Sequence, residues 1–468
     1  MKAIVVYGSA GTGKTTLLLE LLDGLKQRGY ASNEIAYFSF TKAAIANVLG
    51  RLGLKSSPFV STLHSMCFNH LELKKHSVID IGLLKKFGVD CGYRFTGADW
   101  ADMSDGDMCM AMYSLLRSRM CSLDGVSSSA VLVPRHKLVE FSSRYESWKS
   151  DRYLIDFNDM LSMYADNPPR SCARALFIDE AQDLSPLQWR VVRSFIKAAD
   201  IDLVVVAGDD DQAIYEWSGA NPHGMQEFEA DFSAERIVLD EGHRMSENIH
   251  NLAHSVIAKV KRRVDKTVSP PRAGGDIQGV SVLYKSVIGS WDDCLVLART
   301  NKIKKEVESR LVEQGIAFSN RENTSPWENS LAVAYRALRD YRRGAALTPK
   351  QMTVIKRCVE PDVVACIEAA EPIGDRYWDA LRVSPRQYDF YRNFDPDEVP
   401  RVVVSTIHAS KGSEANNVVL CDSISGVVAD AQYLNPDAEA RVWFVGVSRA
   451  RDRLFILRDL TLGDRYGL

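Results

Sequence analysis

Short apolar, β-branched runs alternate along this chain with longer stretches in which apolar residues recur every three or four positions. The first run, residues 3–7, has the length and composition of a buried strand. A glycine-rich segment separates it from residues 16–25, whose leucines form the stripe of an amphipathic helix. Residues 34–49 and 59–65 continue this order of strand and helix, which is typical of a doubly wound parallel sheet.

Two stretches depart from this order. Residues 69–150 have a helical pattern broken by glycine and serine, and residues 325–398 are rich in aromatic residues and arginine. Strands return at residues 175–178 and 203–212, the latter with a polar end, and a second α/β half begins at residue 236. The pattern predicts an α/β fold with two parallel sheets and two inserted, mainly helical subdomains. Prolines and glycines in residues 265–280 predict a linker or surface loop.

Composition narrows the class of protein. With 468 residues, 46% apolar and 25% charged, the chain matches an ordinary globular protein of about two to four domains. The net charge of −3 means that nucleic acid would have to bind in a local groove. Nine cysteines without a CxxC pair argue against zinc and disulfides and favour a cytoplasmic protein. No apolar run is long enough for a membrane span, and the first is too short for a signal peptide.

The segment after the first strand has the spacing of a phosphate-binding P-loop. It reads Gly8-Ser9-Ala10-Gly11-Thr12-Gly13-Lys14-Thr15, with a strand before it and a helix after it. Backbone N–H groups and the helix N-terminus would hold phosphates, Lys14 would reach the terminal phosphates, and the Thr15 hydroxyl would ligate Mg²⁺. A chance glycine-rich turn is the alternative, but it does not account for both flanks. The segment predicts a nucleoside triphosphate site.

Carboxylates follow the apolar run at residues 175–178. Asp179 and Glu180 lie at the C-terminal end of this strand, where open α/β sheets bind ligands. Asp179 is placed to hold Mg²⁺ and Glu180 to orient and deprotonate the attacking water, although an acidic helix cap would look the same in isolation. Gln212, after the next strand, could sense the γ-phosphate.

Three further features allow either a contact with nucleic acid or an ordinary structural role. Trp217 could stack on a base or pack in a core. The basic clusters within residues 69–150 could meet phosphates, but a solvated helix face is the commoner explanation. The aromatic residues and arginines within 325–398 suit single-stranded nucleic acid, but a small helical core is again commoner.

Two arginines of the second α/β half, Arg244 and Arg449, belong to a module without its own P-loop. Two such modules facing each other would clamp one nucleotide between a P-loop and arginine fingers, which stabilise the charge of the transition state. Because the fingers act only when the modules close, hydrolysis would be coupled to domain motion. This arrangement predicts a motor.

With these motifs in this order, the sequence resembles the UvrD/Rep-like superfamily 1 (SF1A) DNA helicases, in a compact form. Residues 8–15 are similar to helicase motif I, and residues 179–183 to motif II. The other motifs follow in the family's order: Ia at 40–44, Ib at 61–65, Ic at 155–157, III at 208–219, IV at 241–244, V at 406–414 and VI at 444–450. Each motif is short, but their joint order is specific.

The resemblance implies two RecA-like sheets of the P-loop NTPase type. It divides the chain into domain 1A (1–68 and 151–235), an inserted subdomain 1B (69–150), domain 2A (236–324 and 399–468) and a short 2B-like insertion (325–398). The implied catalytic residues are Glu180, Gln212, Arg244 and Arg449, and the implied Mg²⁺ ligands are Thr15 and Asp179. The implied nucleotide contacts are Gly8, Ala10, Gly11, Thr12, Gly13, Lys14, Thr15, Thr16, His243 and Glu414, with Glu414 near the ribose. The implied DNA contacts are Phe40, Thr41, Thr62, His64, Trp217 and His408.

The activity implied by the resemblance is an ATP- and Mg²⁺-dependent DNA helicase or translocase moving 3′→5′ on single-stranded DNA. Its partners would be single-stranded DNA, single-/double-strand junctions and replication, recombination or repair proteins, with no membrane. We expect a monomer in the cytoplasm of a bacterial or phage-infected cell.

Two departures from the family leave the choice of ATP over GTP open. The sequence opens on the first strand, so the adenine-reading Q-motif is not expected, and His243 replaces the family's aromatic residue. Two other functions remain: a nucleotide-gated DNA-binding protein without unwinding activity, and a P-loop kinase or GTPase, against which the second arginine-bearing module argues.

Overall fold

Two six-stranded parallel sheets organise the chain in the computed structural model. The structure describes residues 1–39, 42–57, 59–96, 103–122, 133–282, 288, 291–320, 329–375, 377–384, 397, 399–458 and 464–468. They form two units. The first unit comprises Met1–Arg244, Ile257–Pro271 and Asp437–Arg441, and the second comprises Met245–Val256, Arg272–Pro436 and Val442–Leu468.

The first unit contains one sheet with helices on both faces. Its elements are β1 (Lys2–Gly8), α1 (Lys14–Gln27), β2 (Ile35–Phe38), α2 (Lys42–Leu52), β3 (Val60–Ser61), α3 (Leu63–His70), α4 (Ile81–Cys91), α5 (Asp105–Arg119), α6 (Arg135–Ser150), α7 (Phe157–Asp166), β4 (Ala175–Ile178), α8 (Pro186–Ala198), β5 (Leu203–Gly208), α9 (Gly224–Phe232) and β6 (Glu235–Leu239). The strand order is β3-β2-β4-β5-β1-β6. The central strands are buried on both faces, which explains their continuous apolar runs. Their C-terminal ends meet at one edge, where the site lies.

Strand β6 corrects the prediction that residue 236 opens the second α/β half. Residues 235–239 pair in parallel with β1, so that Leu239 lies opposite Gly8 in the first sheet. Hydrophobic periodicity shows that a stretch forms a strand. It does not show which sheet provides the backbone partners, because those hydrogen bonds come from residues remote in sequence.

Helices α4, α5 and α6 are inserted between α3 and α7 and pack around an apolar core of their own, which includes Phe87, Phe141 and Tyr145. One basic residue of this insertion has clear structural contacts. Arg117 on α5 forms ion pairs of 2.7 Å with Glu146 and 2.8 Å with Asp159. These pairs tie α5 to α6 and α7, so Arg117 joins helices and does not lie on the solvated helix face that the sequence favours.

The second unit is built on the second sheet. Its elements are α10 (Glu247–Ile257, whose last residue is counted with the first unit), β7 (Asp276–Val280), β8 (Cys294–Ala298), α11 (Asn301–Glu313), β9 (Phe318–Asn320), α12 (Asn329–Arg342), α13 (Pro349–Cys358), α14 (Pro361–Glu368), β10 (Val402–Thr406), β11 (Ala415–Cys421), β12 (Ser423–Ile424), α15 (Gly426–Leu434), α16 (Pro436–Val447, of which Asp437–Arg441 is counted with the first unit), β13 (Ala450–Leu457) and β14 (Asp464–Arg465). The strand order is β7-β13-β11-β8-β10-β9, and β12 and β14 form a small antiparallel pair.

Helices α12, α13 and α14 of the second insertion also have their own apolar core. Tyr335 and Tyr377 are buried in it, with ring centroids 5.4 Å apart. For these two aromatic residues the helical-core explanation holds. Residues 321–328 and 385–396, which carry several of the other aromatic residues, lie outside the described part of the chain. Among the helices that the structure describes, none has both the length and the apolar character needed to cross a membrane.

Candidate active site

The loop between β1 and α1, the predicted P-loop, curls around the Lys14 ammonium. Gly11 and Gly13 have φ values of 76° and 80°, a left-handed conformation that glycine adopts without strain, and α1 begins immediately afterwards. The Lys14 ammonium is buried and donates hydrogen bonds of 2.7 Å to the Gly8 carbonyl and 3.1 Å to the Ser9 carbonyl. Burial lowers the pKa of Lys14, against the opposing effect of nearby carboxylates, Asp209 foremost. The cation is thus held inside the loop.

The predicted Mg²⁺ ligands are in direct contact. The Thr15 hydroxyl donates a 3.0 Å hydrogen bond to Asp179 Oδ2, and the Tyr37 hydroxyl donates one of equal length to the same oxygen. Burial, followed by the negative charge of Glu180, raises the pKa of Asp179 to about 6. Hydroxyl and carboxylate oxygens are the ligands that Mg²⁺ prefers, and a divalent cation would offset the cost of the buried charge. The donor set therefore fits this ion. Tyr37 carried no sequence signal for this role.

The raised pKa of Asp179 predicts a pH-dependent stability. Between its ordinary value of 3.8 and about 6, the folded protein binds a proton that the unfolded chain releases, so stability falls as pH rises through this window. Asp179→Asn cannot ionise and should raise the melting temperature of the nucleotide-free protein at pH 8, with a smaller gain at pH 5. Thermal melts at both pH values test this, with the exposed Asp151→Asn as control. An equal gain at both pH values would contradict it.

A chain of hydrogen bonds joins the predicted base to the predicted γ-phosphate sensor. Gln182 donates to Glu180 Oε2 over 2.6 Å and accepts from the Asp209 backbone N–H over 3.0 Å. Gln212 Nε2 donates to Asp209 Oδ2 over 2.7 Å. Glu180 itself has a left-handed φ of 56°, a conformation that costs a non-glycine residue about 1–3 kcal/mol. The turn after β4 is therefore strained at the predicted base, and Gln182 and Asp209, which were not among the predicted site residues, hold the side chains of Glu180 and Gln212 by these hydrogen bonds.

Arg244 lies beside the P-loop, within the first unit. The His243 backbone N–H donates a 2.9 Å hydrogen bond to the Gly11 carbonyl, and a methyl group at Gly11 would stand 2.5 Å from Arg244 Cβ. This corrects the prediction that Arg244 belongs to the second α/β half. Since β6 runs parallel to β1 and next to it, the residues that follow the two strands meet at the same edge of the sheet.

Arg449 and Glu414 lie in the second unit. The buried Arg449 guanidinium donates hydrogen bonds of 3.0 Å to the Val445 carbonyl and 3.1 Å to the Ser413 carbonyl. Glu414 forms an ion pair with Arg451 and lines a cavity of about 170 Å³. The roles of Arg449 and Glu414 remain predictions.

The predicted DNA contacts are distributed over both units. Thr62 accepts a 3.2 Å hydrogen bond from the Ser65 backbone N–H and so caps α3, and the His64 ring meets Phe157 edge-on at 5.5 Å. Thr62 and His64 line a cavity of about 130 Å³ together with Asp179. His408, in the second unit, is half-buried. Phe40 and Thr41 lie outside the described residues.

Trp217 is 52% exposed, which argues against packing in a core. Its short turn is held from two sides: Arg119 donates to the Glu216 carbonyl over 2.8 Å, and Arg441 forms a 3.0 Å ion pair with the Glu216 carboxylate. Neither arginine was singled out from the sequence for this role. An exposed ring on a braced turn is suited to stacking on a base.

Comparison with known families agrees with this geometry. Residues 1–102 and 110–233 match the model of the UvrD/REP helicase N-terminal domain, and residues 401–457 match that of the UvrD-like helicase C-terminal domain. This chain belongs to the UvrD/Rep-like superfamily 1 helicases. Membership agrees with the two parallel sheets, so the predicted fold class of two RecA-like sheets is confirmed.

Individual members of this UvrD/Rep-like family are similar at modest identity. The chain is 32% identical to DNA helicase II of Haemophilus influenzae over 31% of the chain and 22% of the relative. It is 24% identical to ATP-dependent DNA helicase PcrA of Leuconostoc citreum, over 68% of the chain and 47% of the relative. It is 25% identical to ATP-dependent DNA helicase UvrD2 of Mycobacterium bovis, over 96% of the chain and 76% of the relative. The chain spans about half the length of several relatives, such as the 47% for PcrA and 56% for UvrD1.

Proposed function

We propose that this chain is an ATP-dependent DNA helicase that moves 3′→5′ along single-stranded DNA and separates strands at single-/double-strand junctions. The observation that carries the proposal is the joining of Lys14, the Thr15–Asp179 pair and the chain from Glu180 to Gln212 in one site. Relatives named ATP-dependent DNA helicases support it. We further propose that it acts as a monomer in the cytoplasm of a bacterial or phage-infected cell, with replication, recombination or repair proteins.

The chemistry follows from the positions of these side chains. ATP would place its phosphates in the P-loop, and Lys14 would exchange the Gly8 and Ser9 carbonyls for phosphate oxygens. Thr15 and Asp179 would hold Mg²⁺, which neutralises phosphate charge in this reaction. Glu180 would orient the attacking water and accept its proton, and Gln212 would contact the γ-phosphate.

Charge that develops on the phosphates would be stabilised by arginine. Arg244 is placed for this because it stands against Gly11 of the P-loop. Arg449 of the second unit is proposed as a further arginine finger. We also propose that His243 contacts the base and Glu414 the ribose.

The same site offers a route from DNA to ATP. Thr62 and His64 line a cavity that also includes Asp179, and Trp217 follows Gln212 by five positions. A strand that contacts these residues would touch elements that also carry the catalytic groups. Hydrolysis should therefore respond to single-stranded DNA.

ATP turnover with and without single-stranded DNA, together with strand displacement from 3′- and 5′-tailed duplexes, tests the proposal. We expect turnover to rise at least about tenfold with DNA, since one arginine finger alone is worth about 10³–10⁵ in rate. Displacement should require the 3′ tail. If single-stranded DNA does not raise ATP turnover, the proposal of a DNA-dependent motor is wrong. Stimulation without displacement on either duplex would leave a nucleotide-gated DNA-binding protein, and displacement from the 5′ tail would reverse the polarity.

Trp217→Ala should weaken binding of single-stranded DNA. Base–aromatic stacking is worth about 1–3 kcal/mol, so we expect Kd to rise by about 5- to 150-fold. Because the ring is 52% exposed, its loss should leave the melting temperature nearly unchanged. Fluorescence anisotropy with labelled oligothymidine measures Kd, with Tyr153→Ala, another exposed aromatic residue, as control. An unchanged Kd would show that Trp217 is not a DNA contact.

A further inference from the structure

Lys266 lies in the stretch predicted to be a linker, yet only 3% of its surface is exposed. Its ammonium is 3.1 Å from Asp209 Oδ1 and 3.0 Å from Asp211 Oδ2, and it also contacts Asp210. The prediction of a surface loop is therefore wrong at this residue. A linker composition cannot show that one of its charges is buried against a distant loop.

The three consecutive aspartates are close enough together to suggest a metal site. Their charges are instead balanced from within the chain. Arg263 forms two hydrogen bonds of 2.8 and 2.7 Å with Asp211, and Lys266 contacts all three carboxylates. Because the ammonium already stands among the carboxylates, this cluster is a buried ion-pair network.

Asp209 connects this network to the catalytic site. Its Oδ1 faces Lys266, and its Oδ2 accepts the hydrogen bond from Gln212. An ionised carboxylate only accepts hydrogen bonds, so the amide of Gln212 must turn its NH₂ group towards Asp209. Burial alone would raise the pKa of Asp209, but the charges of Lys266 and Lys14 hold it below its usual value.

Lys266 also fixes the position of Asp209. The buried carboxylate has its Oδ1 3.1 Å from the Lys266 ammonium and its Oδ2 bonded to Gln212. Without Lys266, Asp209 would lose the cation that faces Oδ1 and would no longer be fixed in its contact with Gln212.

We propose that Lys266 is a positioning residue for ATP hydrolysis, which acts through Asp209 to orient the Gln212 amide towards the γ-phosphate. This inference rests on the proposed ATPase function and adds a residue that lies outside the helicase motifs. In the part of the chain that the structure describes, Lys266 pairs with Asp209, Asp210 and Asp211. Asp209 is the partner that accepts the hydrogen bond from Gln212, so we expect the effect of Lys266 on the rate to pass through Asp209.

Two charge-balanced double variants test the proposal. Lys266→Met with Asp210→Asn and Arg263→Met with Asp211→Asn each remove one cation and one carboxylate from the same buried network. The first also removes the cation that faces Asp209. We expect it to lower kcat at least about tenfold while KM for ATP changes less than about threefold, the signature of a lost transition-state contact. The double variant Arg263→Met with Asp211→Asn should keep kcat within about threefold of that of the unaltered protein. Equal losses in both, or none in the first, would overturn the proposal.

Combining Lys266→Met and Asp210→Asn with Gln212→Ala distinguishes an effect on the position of Gln212 from a general loss of activity. If Lys266 acts through Gln212, the combined variant should lose little beyond Gln212→Ala alone, whereas multiplied losses would contradict the proposal. Circular dichroism and melting temperature monitor folding. Should the first pair fail to fold, Lys266→Arg, which keeps the charge but displaces it, is measured with the same readouts. ATP turnover is measured without DNA throughout. The test therefore remains valid even if the protein does not separate DNA strands.

Discussion

Lys14→Ala is expected to lower ATP turnover by at least about 10²- to 10³-fold, the usual loss when one preorganised charge-stabilising group is removed. The Lys14 ammonium is buried inside the P-loop, within 3.1 Å of the Gly8 and Ser9 carbonyls. The other cation of α1, Lys26, lies near the opposite end of the helix and cannot take its place. DNA binding should largely survive, since Trp217 and His64 stand on other elements.

A matched control exists on the same helix. Lys26 lies near the C-terminal end of α1, is exposed and contacts the Arg51 carbonyl. Lys26→Ala removes the same side chain at a distance from the loop and should leave turnover unchanged. Steady-state ATPase assays and DNA-binding titrations of both variants measure the two effects. Parallel losses of turnover and DNA binding, with a lowered melting temperature, would indicate misfolding, and retained turnover would exclude the P-loop as the catalytic site.

Glu180→Gln is expected to lower kcat by about 10²- to 10⁴-fold, the usual contribution of general base catalysis. The glutamine keeps the size of the side chain and can still accept the hydrogen bond that Gln182 donates over 2.6 Å. Only the basicity is lost, so the variant should bind ATP normally and accumulate the ATP-bound state. The residue should also retain its left-handed backbone, because both side chains have the same demands at that position.

Nucleotide binding by fluorescence and single-turnover hydrolysis separate these effects. The exposed Glu140→Gln on α6 is the control for a change of charge elsewhere in the first unit. Normal kcat in Glu180→Gln would assign the base to another group. A parallel loss of ATP affinity would mean that Glu180 acts on binding and not on the chemical step.

Local sequence predicted the P-loop well. Its eight residues are contiguous, and the strand before it and the helix after it are short-range elements, so spacing alone places Lys14 and Thr15. Asp179 and Glu180 were assigned because β4 ends directly before them and their motif follows the P-loop. The joint order of motifs, which no single segment carries, pointed to the UvrD/Rep-like family that the comparisons then identified.

Other parts of the site could not be predicted in this way. Periodicity places Arg244 in the wrong half, because the pattern of a strand is the same whichever sheet it joins. The pairing of β6 with β1 is what brings Arg244 to Gly11. Tyr37 looks like an ordinary apolar strand residue until β2 and β4 lie side by side and its hydroxyl reaches Asp179. Lys266 looks like one charge in a linker.

The sequence by itself therefore determined the alternation of strands and helices, the position of the glycine-rich loop and the family, because each depends on residues close together or on motifs in a set order. Only the tertiary structure decided which side chains share the site. Hydrogen bonds and ion pairs such as Tyr37–Asp179 and Lys266–Asp209 join residues 142 and 57 positions apart, respectively. Such partners are selected by the packing of sheets and by the need to pair every buried charge, and neither requirement leaves a local pattern in the chain.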